Sequence, residues 1–271
     1  MEQIQERMRE YMMQEGVLHC VVPDSVNYYK AAPARVLALF VAAAVKNCAI
    51  EAQTYEAACA SMELVKKVPV NAIRSAMQNI LLSQRPQAIG TFVAQGVFHP
   101  FGILESTPDF RVLQQIPCTM ETRWWTFLRL CGASYETVCE QLQFTSAFAE
   151  TLTALDDLAT RKELPQNELE LKMMLSTMPD FDYTAMVQTL ALTDKRWEGQ
   201  DILFEAIYRA KAPYRVNDLA ITMGQLAVLG IREKKAEWVV RQLLDTIIQT
   251  PEMNQYPPLE MMALTLAQQY Q

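Results

Sequence analysis

The sequence Asp180-Phe-Asp182 is the arrangement most similar to a metal-binding motif in this chain. Two carboxylates at this spacing can hold the metal ions that activate a hydroxyl group for phosphoryl transfer. Here the motif directly follows Pro179, with no strand or glycine turn before it. Aspartate is also favoured at a helix N-cap, where its carboxylate accepts a backbone N–H. We therefore predict that Asp182 lies at the start of a helix and that the motif is not a metal site.

The histidines and cysteines do not form a catalytic or metal-binding pattern. His19 lies in the apolar run Val17–Val22 and His99 lies in the sequence Phe98-His-Pro, and neither accompanies a nucleophile and an orienting acid. The six cysteines show no Cys-x-x-Cys spacing. Several lie in apolar helical runs, where a free cysteine acts as a small hydrophobic residue. We predict a structural His19, a turn-capping His99, no metal site and no cofactor.

Two tryptophan positions could stack on nucleic-acid bases. Trp124 and Trp125 are adjacent, and on a helix neighbouring side chains point about 100° apart, so we favour packing in the core for this pair. Trp238 lies at the start of a predicted helix beside basic residues. It is therefore the better candidate for an exposed aromatic side chain, although core packing is the alternative.

The composition is that of a globular, helical chain. Of the 271 residues, 51% are hydrophobic and 20% are charged, and only eight are glycine. No apolar run is long enough to span a membrane, and the first residues lack the pattern of a signal peptide. We therefore expect a cytoplasmic protein.

Charge is unevenly distributed along the chain. The net charge is −7, which argues against indiscriminate binding of nucleic acid. The segment from Glu136 to Asp182 has ten acidic and three basic residues and so carries all of this excess, whereas residues 61–90 have a net charge of +3. A basic side opposite an acidic side is compatible with this distribution.

The apolar periodicity predicts an all-α fold, an elongated multi-helix array with at most one short N-terminal strand. The central helix, Pro33–Val45, is apolar on most sides, so we expect it to be buried on most sides. The strand is Val17–Val22, for which we find no partner strand, and residues 25–32 are predicted as a loop. The other predicted helices are residues 2–14, 51–66, 70–82, 86–96, 108–116, 121–131, 134–142, 145–160, 166–176, 182–192, 200–210, 235–250 and 258–269.

Several short motifs follow one another in a recognisable order. They are Gly16-Val-Leu-His-Cys-Val-Val22, Tyr29, Pro33-x-Arg35-Val-Leu37, Ile50-Glu-Ala-Gln-Thr54, Leu64-Val-Lys-Lys-Val68, Ile73-Arg74, Ile80-Leu-Leu-Ser83, Arg85-Pro86, Asn217-Asp-Leu-Ala-Ile-Thr222 and Leu229-Gly-Ile231. In this order they resemble the bacterial class II tRNA nucleotidyltransferases, the CCA-adding enzymes, and the related poly(A) polymerases.

The resemblance implies a helical neck, body and tail. In that family these parts follow a catalytic head, in which a Gly-Ser pair and an Asp-x-Asp hold the triphosphate and the metal ions. This sequence contains no Gly-Ser dipeptide. By the resemblance we divide the chain into an N-terminal helix and remnant strand (1–32), a neck-like domain (33–102), a body-like domain (103–200) and a tail-like domain (201–271).

In the neck of the family, a Glu-Asp-x-x-Arg motif reads the incoming base by hydrogen bonds. Here Ala31 and Ala32 stand where the acids would be, and Arg35 is retained. A second motif, Glu-Arg-x-Arg, keeps only Arg74, and Tyr29 matches an aromatic position. The resemblance therefore implies that Tyr29, Arg35 and Arg74 form the remnant of a nucleotide pocket, without a carboxylate to accept from a cytosine amino group.

In the tail of the family, a Gly-Pro opens a helix against the phosphate backbone of tRNA. Ala236-Glu237 replaces it here, and Glu237 would repel a phosphate at that position. Positive charge remains nearby. The predicted RNA-binding residues are Arg209, Lys211, Arg215, Lys234, Lys235, Trp238 and Arg241. A solvated helix surface explains the same residues equally well.

Three functions are compatible with these observations. The first is a noncatalytic tRNA nucleotidyltransferase-like protein that binds tRNA or another structured RNA through its neck and tail, and we prefer it. The second is the RNA-gripping subunit of a split nucleotidyltransferase whose catalytic head is a separate protein. The third is a helical protein-interaction scaffold with a decayed RNA site. In each case we expect no catalytic residue in this chain and no membrane partner.

Overall fold

The computed structural model describes residues 10–104 and 108–270. These residues are mostly helical, so the predicted fold class is confirmed. They form two units, of which the first ends at Ala159 and the second begins at Thr160. The finer division into neck-, body- and tail-like domains stays a prediction. Most of the helix predicted over residues 2–14 lies outside the described residues.

The first unit is built mainly of short helices. They are α1 (Ser25–Ala31), α2 (Ala34–Val45), α3 (Ala52–Cys59), α4 (Met62–Val65), α5 (Val70–Leu81), α6 (Ile89–Ala94), α7 (Met120–Leu130), α8 (Tyr135–Gln141) and α9 (Ser146–Thr160). Short 3-10 helices lie at Pro86–Ala88, His99–Phe101 and Phe110–Gln114.

The apolar helix α2 lies at the centre of this unit, as its sequence predicts. Pro33 stands at its N-cap with φ −59°, which the proline ring fixes in advance. Val36, Leu37, Leu39 and Phe40 are buried, and α2 packs against α5. Trp124 and Trp125, on α7, are buried too, which confirms the predicted core packing of this pair.

A small sheet corrects the prediction of a single strand. Strand β1 (Tyr11–Gln14) pairs antiparallel with β2 (Val17–Cys20), and β3 (Ala49–Ile50) pairs parallel with β2. Glu15 and Gly16 both have positive φ, +51° and +77°. Such a pair makes the two-residue turn whose twist matches a hairpin, so residues 11–14 extend back along β2 and do not continue the predicted helix.

Two other predictions about the first unit are wrong in detail. The loop predicted over residues 25–32 is the helix α1, because the Asp24 carboxylate accepts from the Asn27 backbone N–H at 3.1 Å and caps it. The helix predicted over residues 51–66 is divided into α3 and α4, with the fully buried Ser61 at the break.

The second unit contains α10 (Glu168–Ser176), α11 (Tyr183–Ala191), α12 (Gln200–Arg209), α13 (Met223–Val228), α14 (Glu233–Gln249) and α15 (Tyr256–Gln269). The 3-10 helices Lys195–Trp197, Val216–Asp218 and Pro251–Met253 connect them. Sequence periodicity did not predict α13. It is held by a capping box, in which the Thr222 hydroxyl accepts from the Gln225 N–H and the Gln225 side chain accepts from the Thr222 N–H.

A buried arginine connects separate segments of the first unit by hydrogen bonds. Arg123, on α7, is only 5% exposed. Its Nη1 donates to the Leu81 carbonyl at 2.8 Å, and its Nε donates to the Ile116 carbonyl at 2.9 Å. Burial lowers the pKa of this guanidinium, because the charged form loses its hydration. Its hydrogen bonds satisfy carbonyls that would otherwise be buried without a donor.

We expect the substitution Arg123→Met to lower the free energy of unfolding by about 3 kcal/mol, because it leaves buried carbonyl groups unsatisfied. Urea denaturation followed by circular dichroism measures this loss. The matched control is Arg129→Met on the same helix, which loses an exposed ion pair with Asp156 and a contact with the Trp125 ring, each expected to contribute less than about 1 kcal/mol. Equal losses in the two variants would contradict a structural role that is specific to Arg123.

Candidate functional site

The position expected to read a nucleotide lies at the junction of α1 and α2. Arg35 is half-buried there, and its Nη1 donates to the Tyr28 carbonyl at 2.9 Å. Its guanidinium carbon lies 4.0 Å from the centre of the Tyr28 ring. Tyr28 in turn donates its hydroxyl to the Glu10 carboxylate. The Arg35 side chain is thus held against α1 by contacts within the protein.

Tyr29 does not have the position that a pocket wall requires. Its side chain is 0% exposed, and its ring packs edge-on against the Tyr28 ring at 5.1 Å. Burial raises the pKa of the Tyr29 phenol. A side chain without exposed surface cannot stack on a nucleotide base, so the expected role of Tyr29 is corrected to that of a core residue.

Arg74 also has partners of its own. From α5 its Nη1 donates to the carbonyls of Leu142, at 3.0 Å, and Gln143, just beyond the end of α8. Its guanidinium lies 5.5 Å from the centre of the Phe144 ring. Arg35 and Arg74 are thus held by carbonyls of different segments, Tyr28 in α1 and Leu142 and Gln143 after α8.

The acid positions of the expected base reader form the end of α1. Ala31 is the last residue of the helix and is exposed, and Ala32 is its C-cap. Their methyl groups offer no hydrogen-bond acceptor to a base. The hydrogen-bonding capacity that remains at this junction therefore belongs to backbone groups and to Arg35.

The motif Asp180-Phe-Asp182 has the structural role predicted for it. The Asp182 carboxylate accepts from the Ala185 backbone N–H at 2.9 Å and caps α11, which confirms the predicted N-cap. Asp180 forms an ion pair with Arg215 at 2.9 Å. Within residues 10–104 and 108–270 there is no group of three or more His, Cys, Asp or Glu side chains that could hold a metal ion.

His19 takes part in a small polar cluster on the sheet. Its Nδ1 lies 3.7 Å from the Glu51 carboxylate, which also accepts from the Thr54 hydroxyl at 2.6 Å. The Thr54 hydrogen bond, more than His19, lowers the pKa of Glu51. Thr54 accepts in turn from the Cys20 backbone N–H at 2.9 Å, so this cluster fastens α3 to β2. His99 is exposed and begins the 3-10 helix His99–Phe101.

In the second unit, α14 presents basic residues above a packed core. Its inner side, including Val239, Leu243 and Ile247, is buried against α13 and α15. Lys234 and Arg241 lie on its exposed side, and Lys235 is half-buried. Between Arg232 and Arg241 there are four basic and two acidic residues, which leaves a local excess of positive charge.

Trp238, another member of the predicted set, is partly covered by the core of the second unit. It is half-buried and packs against the hydrophobic cluster of the second unit. Its ring lies 5.6 Å from the Tyr270 ring. The ring therefore contacts the protein on one side and keeps some exposed surface, and its role as a stacking residue stays a prediction.

Two other predicted RNA-binding residues, Arg209 and Arg215, have acidic partners. Arg209 forms an exposed ion pair with Glu205 at 2.6 Å, and Arg215 pairs with Asp180. The Arg215 backbone N–H also donates to Asp218, whose carbonyl accepts from Asn254 beyond the end of α14. Since α14 has 17 residues, its two ends lie about 25 Å apart. Arg215 and Lys234 thus lie near opposite ends of one helix.

A large cleft in this unit was not predicted from the sequence. It has a volume of about 1060 Å³ and is lined by Arg161, Lys162, Met173, Arg196 and Gln200, among others. Arg196 is held by Asp194 at 2.6 Å and donates to the Lys162 carbonyl at 2.9 Å. The charge of Arg196 is therefore already balanced, and its main role is to fix the loop before α10.

The fold is similar to that of two solved CCA-adding enzymes. One is the Bacillus stearothermophilus CCA-adding enzyme in complex with CTP, with a TM-score of 0.57 and 12% sequence identity over 91% of this chain and 63% of the enzyme chain. The other is a CCA-adding enzyme with CTP, with a TM-score of 0.54 and 15% identity over 93% of this chain and 63% of that chain. At these identities the likeness shows the fold, and the chain spans about 63% of the length of these enzymes.

No protein-family profile and no curated protein matches the sequence. Within the described residues no single helix could cross a membrane by its length and apolarity, although α1 and α2, bent by 112°, pass that test as a pair.

We expect the substitution Arg35→Gln to lower the free energy of unfolding by about 1–2 kcal/mol, because it removes a cation–π contact and a hydrogen bond to the Tyr28 carbonyl. Urea denaturation measures the change, and Arg111→Gln, an exposed arginine with a local partner in Asp109, is the control expected to change nothing. A loss of CTP binding in Arg35→Gln without a loss of stability would show instead that Arg35 contacts a nucleotide.

Proposed function

We propose that this chain is a tRNA nucleotidyltransferase-like protein that binds structured RNA through its tail-like segment and does not itself select or transfer a nucleotide. The shared fold of the CCA-adding enzymes supports the first part of the proposal. The family resemblance supplies the class of RNA, tRNA or an RNA of similar shape. A role as the gripping subunit beside a separate catalytic protein is a special case of this proposal.

The observation that carries RNA binding is the set of basic residues along the first half of α14. Lys234, Lys235 and Arg241 project from a helix whose other side is packed in the core. The backbone positions of these charged residues are therefore fixed. The N-terminal end of a helix adds a partial positive charge to such a surface. Glu233 and Glu237 reduce the total and do not cancel it. This combination favours phosphate contacts of moderate strength over base recognition.

The absence of nucleotide selection rests on the α1–α2 junction. Ala31 and Ala32 cannot accept hydrogen bonds from a base, and Arg35 is engaged with Tyr28. Restoring selectivity would require both a carboxylate and a released guanidinium. The chemistry of the head of the family therefore does not enter the activity that we assign to this chain.

The salt dependence of tRNA binding tests the proposal. Each phosphate contact contributes about 0.9 to the slope of log K against log salt, so the triple variant Lys234→Gln, Lys235→Gln and Arg241→Gln should reduce that slope by about 2 to 3. The matched control changes three exposed lysines of the first unit, Lys30→Gln, Lys46→Gln and Lys67→Gln, with the same change in net charge. Fluorescence anisotropy with labelled tRNA gives both slopes. Equal slopes in the two triple variants, or no tRNA binding at low salt, would refute the proposal. Either result would favour the third function, a helical protein-interaction scaffold.

A substitution of Lys211 should change the stability of the protein and its affinity for RNA in opposite directions. Lys211 follows the C-cap of α12 with φ +49°, a left-handed conformation that glycine adopts without strain. Lys211→Gly should therefore raise the free energy of unfolding by about 1 kcal/mol. If Lys211 contacts a phosphate, the same variant should bind tRNA more weakly at low salt.

The control for this pair of measurements is Gln143→Gly. Gln143 has the same left-handed conformation after α8, with φ +57°, and carries no charge. It should gain similar stability with no change in RNA affinity. Unchanged affinity in Lys211→Gly would remove Lys211 from the interface.

A further inference from the structure

The outer side of α15 differs from that of an ordinary surface helix. Six of its residues are exposed, and none of the six is charged. They are Pro257, Met261, Leu264, Thr265, Gln268 and Gln269. In the neighbouring helix α14 six residues are also exposed, and five of them are charged. Since the solvent side of a helix normally carries charged residues, the outer side of α15 has the composition of a covered surface.

Four of these residues form one stripe, which lies opposite the core. The stripe consists of Pro257, Met261, Leu264 and Gln268. Their spacing of four, three and four residues keeps them within about 60° around the helix, on the side away from the buried Leu259, Ala263 and Ala267. Met261 is 70% exposed and Leu264 is 42% exposed. This alternating spacing is the one that lets two helices pack along a common seam.

The charge of α15 argues against a membrane or a nucleic acid as the partner of the stripe. The helix contains a single charged residue, Glu260, and neither lysine nor arginine. A helix that lies on a membrane is typically rich in basic residues beside its apolar side, and a nucleic acid requires cations for its phosphates. A second uncharged stripe matches the first, because neither then buries a charge without a partner.

The order of residues in the stripe is compatible with a copy of itself. A two-fold interface brings the same surface of both subunits together, so this surface must be complementary to itself. In an antiparallel pair centred between positions 262 and 263, Met261 meets Leu264 of the second copy. Glu260 then lies opposite Thr265 of the second copy, so the two like carboxylates do not face each other.

We propose that α15 is an interface between two copies of this chain, with the two helices antiparallel across the stripe. The helix has 14 residues and is therefore about 21 Å long. A contact along one helix of this length is smaller than the roughly 1,600 Å² of a typical stable interface. We therefore expect a weak and reversible dimer. The proposal does not depend on RNA binding.

Sedimentation equilibrium of the 271-residue chain between about 1 and about 500 µM tests for the dimer. The weight-average mass should rise towards twice that of the monomer. Two double variants, Met261→Lys with Leu264→Lys and Met261→Glu with Leu264→Glu, should each associate at least about tenfold more weakly alone, because like charges then face each other. An equimolar mixture of the two should recover the association. Val228→Glu, at an 87% exposed position outside α15, is the control that should change nothing.

Disulfide cross-linking tests the antiparallel orientation. In a Cys118→Ser background, which removes an exposed cysteine, the Met261→Cys and Leu264→Cys variants are mixed and oxidised. More than half of the cross-linked dimers should contain one copy of each variant. A wild-type chain that stays monomeric, undiminished association of both charged variants alone, or a majority of unmixed disulfides would each overturn the proposal. The wild-type masses decide the matter even if a variant fails to fold.

Discussion

The structure depends on basic side chains that donate to the carbonyls at the ends of helices. The last carbonyls of every helix lack a partner within the helix, and a cation near them also complements the helix dipole. Arg123 serves the end of α5, Arg74 serves the end of α8, and the buried Lys172 donates to the Ile248 carbonyl at the end of α14. Each of these bonds joins elements that are far apart in the sequence. They connect short helices that would be marginal alone.

Because some basic side chains are held by backbone carbonyls or by acids, fewer of them are available to bind RNA. A guanidinium that is held by backbone carbonyls has few donors left for a phosphate, and a residue such as Arg209 is partly neutralised by its acidic neighbour. Counting lysines and arginines along the chain therefore overstates the positive surface. The exposed basic residues at the start of α14 differ, since the side chains of Lys234 and Arg241 extend from the packed helix towards solvent.

The sequence predicts those features that depend on local chemistry. Apolar periodicity predicts most helices, and capping preference correctly places Asp182 at the start of α11. The features that the sequence does not predict depend on contacts between residues that are far apart in the chain. Strand β3 has two residues and exists only by pairing with β2, and the β1–β2 turn uses Glu15-Gly16 in place of the usual asparagine-glycine. The same holds for the candidate site. Tyr29 was expected at a pocket wall because the resemblance matches it to an aromatic position, whereas its burial depends on packing in the fold, and the carbonyls that hold Arg74 lie 68 and 69 residues away.

Arg35 and Arg74 also show which kinds of residue can be used to infer function in this fold. The sequence resemblance assigns both to motif positions, yet both have structural partners that would favour an arginine whether or not a nucleotide binds. Ala31 and Ala32, where the resemblance would place acids, end α1 without a side-chain acceptor. A carboxylate at either position would have been evidence of base reading, whereas an arginine is not. In a fold built on cations that donate to carbonyls, function is therefore better inferred from the acids than from the arginines.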